Sequence, residues 1–378
     1  MQYRKVFNWQ LNRRVSYVYP QSRPKKQWAI IFDLNKCIAC QTCSLACKTT
    51  WTSGKGQEYM FWNNVETKPY GGYPVGWDLG ILSKLEMQTW NKDKYTGKTL
   101  FEAAETDERI LYHLAEEQDW AYPNIGEDES SGSVQQGEWI STLPHRIWMY
   151  YLPRTCAHCT YPACLAACPR KAIYKRPEDG IVLIDQSRCR GYRECVRACP
   201  YKKSMFNVET RISEKCIGCY PKIEQGEMTQ CVTNCIGKIR LNGFVSTPEK
   251  ANKDNPMDYL IHTRKVALPL YPQFGLEPNI YYIPPIHVPL AYLEQMFGPH
   301  AAAAVETYRH IPDDQTLKGL LVLFGSMEKI LHTFKVDAER ARGYDATGKE
   351  VLSVPVTEPF WVRDYFDKTL KAYRHNTP

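Results

Sequence analysis

The sequence predicts an α+β fold in which small cysteine-loop units lie within larger supporting segments, and three observations predict it. The 15 cysteines of the 378-residue chain form clusters instead of being dispersed. An apolar, β-branched run that leads through Asp into a cysteine occurs twice, as IIFDLNKC (30–37) and VLIDQSRC (182–189), and is typical of a strand followed by a loop. Segments without cysteine carry helical patterns at about 101–118, 290–308 and 314–334.

Composition narrows the class of protein. Hydrophobic residues make up 43% of the chain and charged residues 24%, which is typical of a globular protein. The net charge of +7 is modest for this length and favours a basic face for a protein partner over nucleic-acid binding. No run of about 18 apolar residues occurs, and the N-terminus, including Arg13–Arg14, lacks the apolar core of a signal peptide. We therefore expect association with a membrane, or export, only through a partner.

Four runs of cysteines are variants of one spacing. The first, CIACQTCSLAC (37–47), has the C-x2-C-x2-C-x3-C spacing of bacterial ferredoxins. The second, CAHCTYPACLAACP (156–169), adds two residues in its middle. The third, CRGYRECVRACP (189–200), has Tyr192 where a second cysteine is expected, and the fourth, CIGCYPKIEQGEMTQCVTNC (216–235), contains an inserted loop. This repetition indicates internal duplication.

The ferredoxin rule assigns each cysteine to a ligand set, because the fourth cysteine of such a run binds the neighbouring cluster. Pairing the first run with the fourth, and the second with the third, predicts set A (Cys37, Cys40, Cys43, Cys235), set B (Cys47, Cys216, Cys219, Cys231), set C (Cys156, Cys159, Cys164, Cys199) and set D (Cys168, Cys189, Cys195). These sets use all 15 cysteines. They predict three [4Fe–4S] clusters and, at set D, one [3Fe–4S] cluster with Tyr192 in place of the fourth ligand.

Set D also has basic residues near it in the sequence, namely Arg188, Arg190, Arg193, Arg197, Lys202 and Lys203. Positive charge favours the reduced, more negative cluster, so we expect a high potential within the range of about −700 to +450 mV that such clusters span. Two alternatives stay open at this site. Tyr192 could be an oxygen ligand to a fourth iron, or it could mark a decayed site.

The paired runs predict two ferredoxin-like double-cluster units with large insertions and a C-terminal extension. The first unit comprises 28–50 and 205–245, with an insertion at 51–149. The second unit comprises 150–204. Residues 246–378 form the extension, which we expect to make subunit contacts.

Other residues near the runs receive plainer interpretations. His158, inside the second run, is interpreted as an ordinary polar loop residue rather than a group that tunes a cluster. The aromatic residues after the first run are interpreted as core or subunit contacts rather than as an electron path: Trp51, Phe61, Trp62, Tyr70 and Trp77.

Two other classes of protein use cysteine-rich loops. Zinc modules, including nucleic-acid-binding ones, prefer two ligand pairs with a long spacer, unlike runs that end in Cys-Pro. An iron–sulfur enzyme acting through set D would need an isolated C-x3-C-x2-C motif or a matched acid/base set, and the sequence offers neither. The sequence therefore favours an electron-transfer protein with no catalytic site in this chain.

The same stretches carry a family resemblance over roughly residues 28–245. They are DLNKCIACQTCSLACKTTW, EYMFWNNVETKPYGGYP, PRTCAHCTYPACLAACPRKAIYKRPEDGIVLIDQSRCRGYRECVRACPYKK and SEKCIGCYP with CVTNCIGKIR. They resemble the iron–sulfur β subunits of the nitrate reductase and nitrite oxidoreductase branch (type II) of the dimethyl sulfoxide reductase superfamily. In that family the third run reads C-R-G-aromatic-R and the aromatic residue marks the three-iron cluster, a place that Tyr192 occupies here.

The resemblance implies partners. It implies an α subunit carrying a molybdenum bis-molybdopterin guanine dinucleotide cofactor, and a γ subunit carrying haem b. Set A would lie nearest the α subunit and set D nearest the haem. The resemblance leaves room for a higher-order assembly.

Within the branch the chain is most similar to nitrite oxidoreductase β subunits, so nitrite oxidation to nitrate is the expected reaction of the complex. The alternatives are nitrate, chlorate, perchlorate or selenate reductase, and ethylbenzene or dimethyl sulfide dehydrogenase. The chain is shorter than the β subunits of cytoplasmic nitrate reductases. That difference favours the periplasm or an equivalent lumen, reached by export with the α subunit, over the cytoplasmic face of the membrane.

Overall fold

The structure, a computed structural model, describes residues 2–69, 76–112, 148–356 and 365–374. The helix predicted at 101–118 begins one residue early, as a short helix over Leu100–Ala104. A single 3₁₀ turn follows at Glu108–Ile110, and the remainder of the predicted helix lies outside the described residues.

Short strands and helices alternate along the described chain. The strands are β1 (Arg4–Asn8), β2 (Arg13–Tyr17), β3 (Gln27–Asp33), β4 (Asn64–Lys68), β5 (Trp90–Asn91), β6 (Lys94–Tyr95), β7 (Tyr150–Arg154), β8 (Ile173–Lys175), β9 (Val182–Ile184), β10 (Ser204–Asn207), β11 (Ile212–Lys215), β12 (Arg240–Val245), β13 (Leu268–Pro269), β14 (Ile280–Ile283), β15 (Thr333–Val336), β16 (Arg340–Tyr344), β17 (Glu350–Pro355), β18 (Tyr365–Asp367) and β19 (Ala372–Arg374). The helices are α1 (Thr42–Trp51), α2 (Trp77–Leu82), α3 (Leu100–Ala104), α4 (Ala163–Ala167), α5 (Glu194–Ala198), α6 (Tyr220–Ile223), α7 (Gln230–Thr233), α8 (Pro256–Asp258), α9 (Leu290–Phe297), α10 (Ala301–Arg309) and α11 (Gln315–Ser326).

The largest sheet among the described residues has four strands in the order β12-β3-β14-β13. The central strand β3 pairs antiparallel with β12 and parallel with β14. Trp28, Ile30 and Phe32 on one face and Ala29 and Ile31 on the other are all buried, as expected of a strand covered on both faces. Because β13 and β14 come from the predicted extension, that segment completes the sheet that carries the first cysteine run.

The two apolar runs that precede cysteines are strands, as the sequence predicts. They form β3 and β9, and β9 pairs antiparallel with β8 in a two-stranded ribbon. Strand β11, which leads into the fourth run, pairs antiparallel with β10. Strands β3 and β9 end a few residues before the first cysteine of a run and β11 ends directly before Cys216, so the sheets fix where the loops start.

Two helix pairs bring the runs together. Helix α1 of the first run packs against α7 of the fourth, and α4 of the second run packs against α5 of the third. These are the two pairings on which the ligand sets were predicted. The result is an α+β fold of small sheets with cysteine-bearing helices between them.

The insertion after the first run is tied to the strand that enters the second run. Strand β4 pairs antiparallel with β7, and the buried Arg154 guanidinium forms an ion pair with Glu66. The Lys68 ammonium lies 2.6 Å from the Asp78 carboxylate, also buried. Breaking such a buried pair costs about 3–5 kcal/mol, because one charge is left uncompensated. This network therefore holds β7 firmly before Cys156.

The structure confirms most of the helices predicted in the C-terminal segment. The pattern at 290–308 forms α9 and α10, separated at Gly298, whose φ of +82° ends the first helix. The pattern at 314–334 forms α11 only to Ser326, where it stops. The prediction is wrong at its end, because Thr333–Val336 is a strand that pairs with β16. None of the helices that the structure describes is both long and apolar enough to cross a membrane.

Candidate iron–sulfur centres

The cysteine loops share one backbone conformation. The second residue after the first cysteine is left-handed in all four runs: Ala39 (φ 52°), His158 (φ 40°), Gly191 (φ 66°) and Gly218 (φ 64°). Glycine is needed at 191, because an added Cβ would lie 2.3 Å from the Arg211 carbonyl oxygen. A shared left-handed residue turns each loop tightly, so that the flanking cysteines lie on its inner side.

The later cysteines of each run are placed by a short helix. Cys43 and Cys47 lie on α1, one helical turn apart. Cys164, Cys195 and Cys231 lie on α4, α5 and α7. The last cysteine of these three runs follows the helix end by one or two residues. Lys171, Lys202 and Lys238, each three residues after that cysteine, are again left-handed.

The four cysteines of set C line one small cavity. Its wall contains Cys156, Cys159, Cys164 and Cys199, together with His158 and Lys215. Burial, and then the nearby sulfurs of set C, raise the pKa of Cys159 well above its ordinary value. The His158 Nδ1 accepts a hydrogen bond from the Val182 backbone N–H at 3.0 Å, while its buried Nε2 has no partner among the described residues.

Set A lines a second small cavity, whose wall contains Cys37, Cys40, Cys43 and Cys235. Cys40 is exposed and the other three are half-buried or buried. The Arg240 guanidinium also lines this cavity and donates from Nη2 to the Cys43 Sγ at 2.7 Å. Burial raises the pKa of Cys37 to about 11.

All four cysteines of set B are buried, unlike those of set A. Burial raises the pKa of Cys47, and the sulfurs of Cys216, Cys231 and Cys219 raise it further. The Trp51 indole N–H donates to the Cys219 Sγ at 3.2 Å. Backbone N–H groups donate to the same set, from Gly218 to Cys216 at 3.3 Å and from Gln230 to Cys219 at 3.5 Å.

Set D joins three cysteines from two runs. Burial raises the pKa of Cys195, and the sulfurs of Cys168 and Cys189 add to the increase. Backbone N–H groups donate to two of them, from Ala172 to Cys168 and from Ser213 to Cys189, both at 3.3 Å. The Tyr192 side chain is 59% exposed, so its predicted packing in the space of a fourth ligand stays a prediction.

The four sets follow one another in space as A, B, C and D. Sets A and B share helix α1, Cys216 of set B and Cys156 of set C belong to one buried cluster, and sets C and D share the packed helices α4 and α5. The buried side chains of Met60, Trp62 and Met205 pack around the junction of sets B and C. The sulfurs therefore form a chain through the protein interior, with apolar side chains around its middle.

The basic residues do not all lie where the sequence suggested. Lys202 is buried beside Cys199 of set C, where burial lowers its pKa to about 8. Lys203 is buried near Cys47 and Cys216 of set B. Both lysines thus lie near sulfurs of sets C and B, and the expectation that they favour the set D cluster stays a prediction. Arg188, Arg190 and Arg193 remain exposed around the third run.

Several residues at these centres were not identified from the sequence. Nothing in the sequence around Arg240 and Lys215 indicates a role at a cluster, because each lies far along the chain from some of the sulfurs it approaches. Trp51 was interpreted as a core or contact residue, and its hydrogen bond to Cys219 depends on tertiary packing. His158 is fully buried, which differs from the ordinary loop role predicted for it.

The residues fit iron–sulfur clusters. The donors at each centre are thiols, which as thiolates are the ligands of such clusters. Burial raises the pKa of most of them, so binding iron displaces protons. In the part of the chain that the structure describes, no three Cys, His, Asp or Glu side chains converge on a single metal ion. The thiols of sets A and C instead line cavities, where buried N–H groups of His158 and Arg240 have no hydrogen-bond partner among the residues that the structure describes.

Comparison with known proteins defines the class first. A family model described as a 4Fe-4S dicluster domain matches residues 147–244, which include the second and third runs and the fourth. This match and the cysteine geometry define an iron–sulfur electron-transfer protein.

The relatives then define the family. The chain is 42% identical to the selenate reductase β subunit of Thauera selenatis over 75% of this chain and 90% of that protein. It is 41% identical to the chlorate reductase β subunit of Ideonella dechloratans, with the same coverage. It is 42% identical to the respiratory nitrate reductase β subunit of Haloferax mediterranei, over 74% of this chain and 84% of that protein. The chain belongs to the iron–sulfur β subunits of the type II enzymes of the dimethyl sulfoxide reductase superfamily, which transfer electrons within oxidoreductase complexes.

Proposed function

We propose that this chain relays electrons singly through three [4Fe–4S] clusters and one [3Fe–4S] cluster. The relay connects a molybdopterin α subunit to a haem b γ subunit or another acceptor. The observation that carries the proposal is the succession of four cysteine sets, in which each set adjoins the next through a shared helix, a shared buried cluster or a packed helix pair. When bound, the clusters supply reversible one-electron oxidation and reduction.

In this proposal sets A, B and C are the ligands of the four-iron clusters and set D holds the three-iron cluster. The chain divides into a unit of 28–50 with 205–245, an insertion at 51–149, a second unit at 150–204, and an extension at 246–378. The protein residues hold the thiolates apart, donate N–H groups to sulfur and exclude water. Hydrogen bonds to sulfur and burial are the means by which a protein sets cluster potentials.

The cluster content provides the first test. The purified complex, after subtraction of what its other subunits hold, should contain about 15 irons and about 16 acid-labile sulfides per copy of this chain. Chemical analysis for iron, zinc and sulfide measures both numbers. Zinc without labile sulfide would contradict the proposal and favour a structural module. About 16 irons would instead favour a fourth iron at set D, with Tyr192 as its ligand.

We infer that the complex oxidises nitrite to nitrate. The support is the resemblance of the cysteine runs and of the EYMFWNNVETKPYGGYP stretch to nitrite oxidoreductase β subunits. The relatives named above are reductases, and another, 40% identical, is the dimethylsulfide dehydrogenase β subunit of Rhodovulum sulfidophilum. Substrate choice belongs to the α subunit, so these names bear on the electron-transfer role more than on the substrate. The proposed location is the periplasm or an equivalent lumen, reached together with the α subunit.

Nitrite addition separates an oxidase from a reductase. Nitrite added without oxygen to the oxidised native complex should reduce the clusters, seen by EPR, and any haem, seen by absorbance. The control is the same addition to a complex whose α subunit lacks its molybdenum cofactor, where no reduction should occur. If nitrite has no effect and nitrate, chlorate or selenate reoxidises the reduced complex, the electron relay remains and the complex is a reductase.

A further inference from the structure

Arg240 occupies the boundary between sets A and B. It begins β12, which is held against β3, and its guanidinium is buried with its centre 4.6 Å from the centre of the Phe32 ring. Its Nη2 donates to Cys43 of set A, and its side chain also hydrogen-bonds Cys231 of set B. The Nε and Nη1 groups are buried and have no partner among the described residues. One guanidinium thus faces the sulfurs of two neighbouring centres with unused donors.

Lys215 occupies the corresponding boundary between sets B and C. It ends β11, directly before Cys216 of set B, and its side chain lines the set C cavity. Its buried ammonium donates to the carbonyl oxygens of Val182 and Cys216, the latter at 2.9 Å. The ammonium thus lies against a set B cysteine and in the wall of the set C cavity at the same time.

Neither cation has a carboxylate partner in the described parts of the chain. Two other buried cations do have one, since Arg154 pairs with Glu66 and Lys68 pairs with Asp78. A buried charge without a counter-charge is strongly unfavourable. The negative charge that compensates Arg240 and Lys215 must therefore come from the cysteine thiolates and whatever those thiolates bind.

We propose that Arg240 and Lys215 are bridging redox-tuning residues, each the shared counter-cation of two successive clusters. Arg240 serves the clusters of sets A and B, and Lys215 serves those of sets B and C. This inference rests on the proposed function, because it takes the four sets as cluster ligands. Each cation stabilises the reduced, more negative form of both of its neighbours and so raises both potentials. It also weakens the repulsion between two adjacent reduced clusters.

Neutral variants of the whole complex test the proposal through a pattern of shifts. Lys215→Met keeps an unbranched stem and removes the charge, and it should lower the midpoint potentials of the set B and set C clusters. Arg240→Met should lower those of sets A and B. An EPR-monitored redox titration measures all four clusters in one sample. The set B cluster should shift in both variants, set A only with Arg240→Met, set C only with Lys215→Met, and set D in neither.

Charge-retaining variants are the matched controls. Lys215→Arg and Arg240→Lys should each leave the potentials closer to the wild-type values than the corresponding Met variant does. If a Met variant fails to assemble its clusters while the charge-retaining variant assembles them, the counter-charge role is supported. If both fail, the site requires the shape of the native side chain and the proposal is overturned.

The outcomes separate this inference from the proposed function. A wild-type complex in which this chain holds no iron or labile sulfide would overturn both. Wild-type clusters whose potentials stay unchanged in the two Met variants, or shift equally at all four centres, would overturn the bridging role alone. A general loosening of the fold would move every potential, so the unmoved set D cluster is an internal control.

Discussion

Cys235→Ala should remove the four-iron cluster of set A, although Cys235 belongs to the fourth run, whose other cysteines are assigned to set B. The reason is the position of Cys235, which lines the set A cavity with Cys37, Cys40 and Cys43. A four-iron cluster needs four ligands, so the loss of one thiolate abolishes or degrades it. The EPR signal of set A should disappear while those of the other three sets persist.

The effect on electron transfer should be large, because set A is the end of the chain of sets that is predicted to face the α subunit. Electron transfer from the α subunit to the physiological acceptor should fall to background. Activity measured with a dye that exchanges electrons with the α subunit directly should persist, which shows that the α subunit is intact. Both assays use the same purified complex.

Cys231→Ala is the matched control, because Cys231 lies in the same run only four residues earlier. It should remove the set B cluster and leave set A, since Cys231 contributes its sulfur to the surroundings of Cys47. Should Cys235→Ala abolish the set B signal and spare set A, the crosswise assignment of the first and fourth runs would be wrong.

The sequence supports these assignments because cysteine spacing is a local property with strong geometric consequences. The left-handed second residue and the short helix recur in all four runs, so one rule covers them. The strands before Cys37 and Cys189 are likewise marked by local β-branched runs. The pairing of helix α1 with α7 follows from the ferredoxin rule despite some 180 intervening residues, because duplication preserves the arrangement.

The surroundings of the sets could not be predicted in the same way. Arg240 reaches Cys43 from a strand almost 200 residues away in sequence, and its position depends on the register of β12 against β3. Lys203 is adjacent to the third run in sequence but lies near set B in space. Charges next to a cysteine in sequence are therefore a poor guide to charges next to its cluster, since tight loops reverse direction within a few residues.

Tyr192→Cys should convert the set D centre from a three-iron to a four-iron cluster. Tyr192 and Cys40 hold the same place in their runs, three residues after the first cysteine and directly before a left-handed residue that starts a helix. The two left-handed residues have nearly the same backbone angles: φ is 59° and ψ is 1° at Gln41, and φ is 64° and ψ is 5° at Arg193. A cysteine at 192 would thus present its sulfur as Cys40 does. Because the Tyr192 ring is exposed, its loss should change the stability by no more than about 0.5 kcal/mol.

The conversion has a spectroscopic and an electrochemical consequence. Oxidised three-iron clusters are paramagnetic and oxidised four-iron clusters of the ordinary kind are not, so the three-iron EPR signal of the oxidised complex should vanish in the variant. The conversion adds an iron together with the thiolate, and because cluster type sets the potential, the potential of the centre should fall to that of a four-iron cluster. Tyr192→Phe is the control, because it removes only the hydroxyl and should keep the three-iron signal. If the wild-type protein lacks that signal and Tyr192→Phe creates it, the tyrosine oxygen holds a fourth iron. If Tyr192→Cys leaves the potential unchanged, then the conversion from a three-iron to a four-iron cluster has not occurred or does not set the potential of this centre.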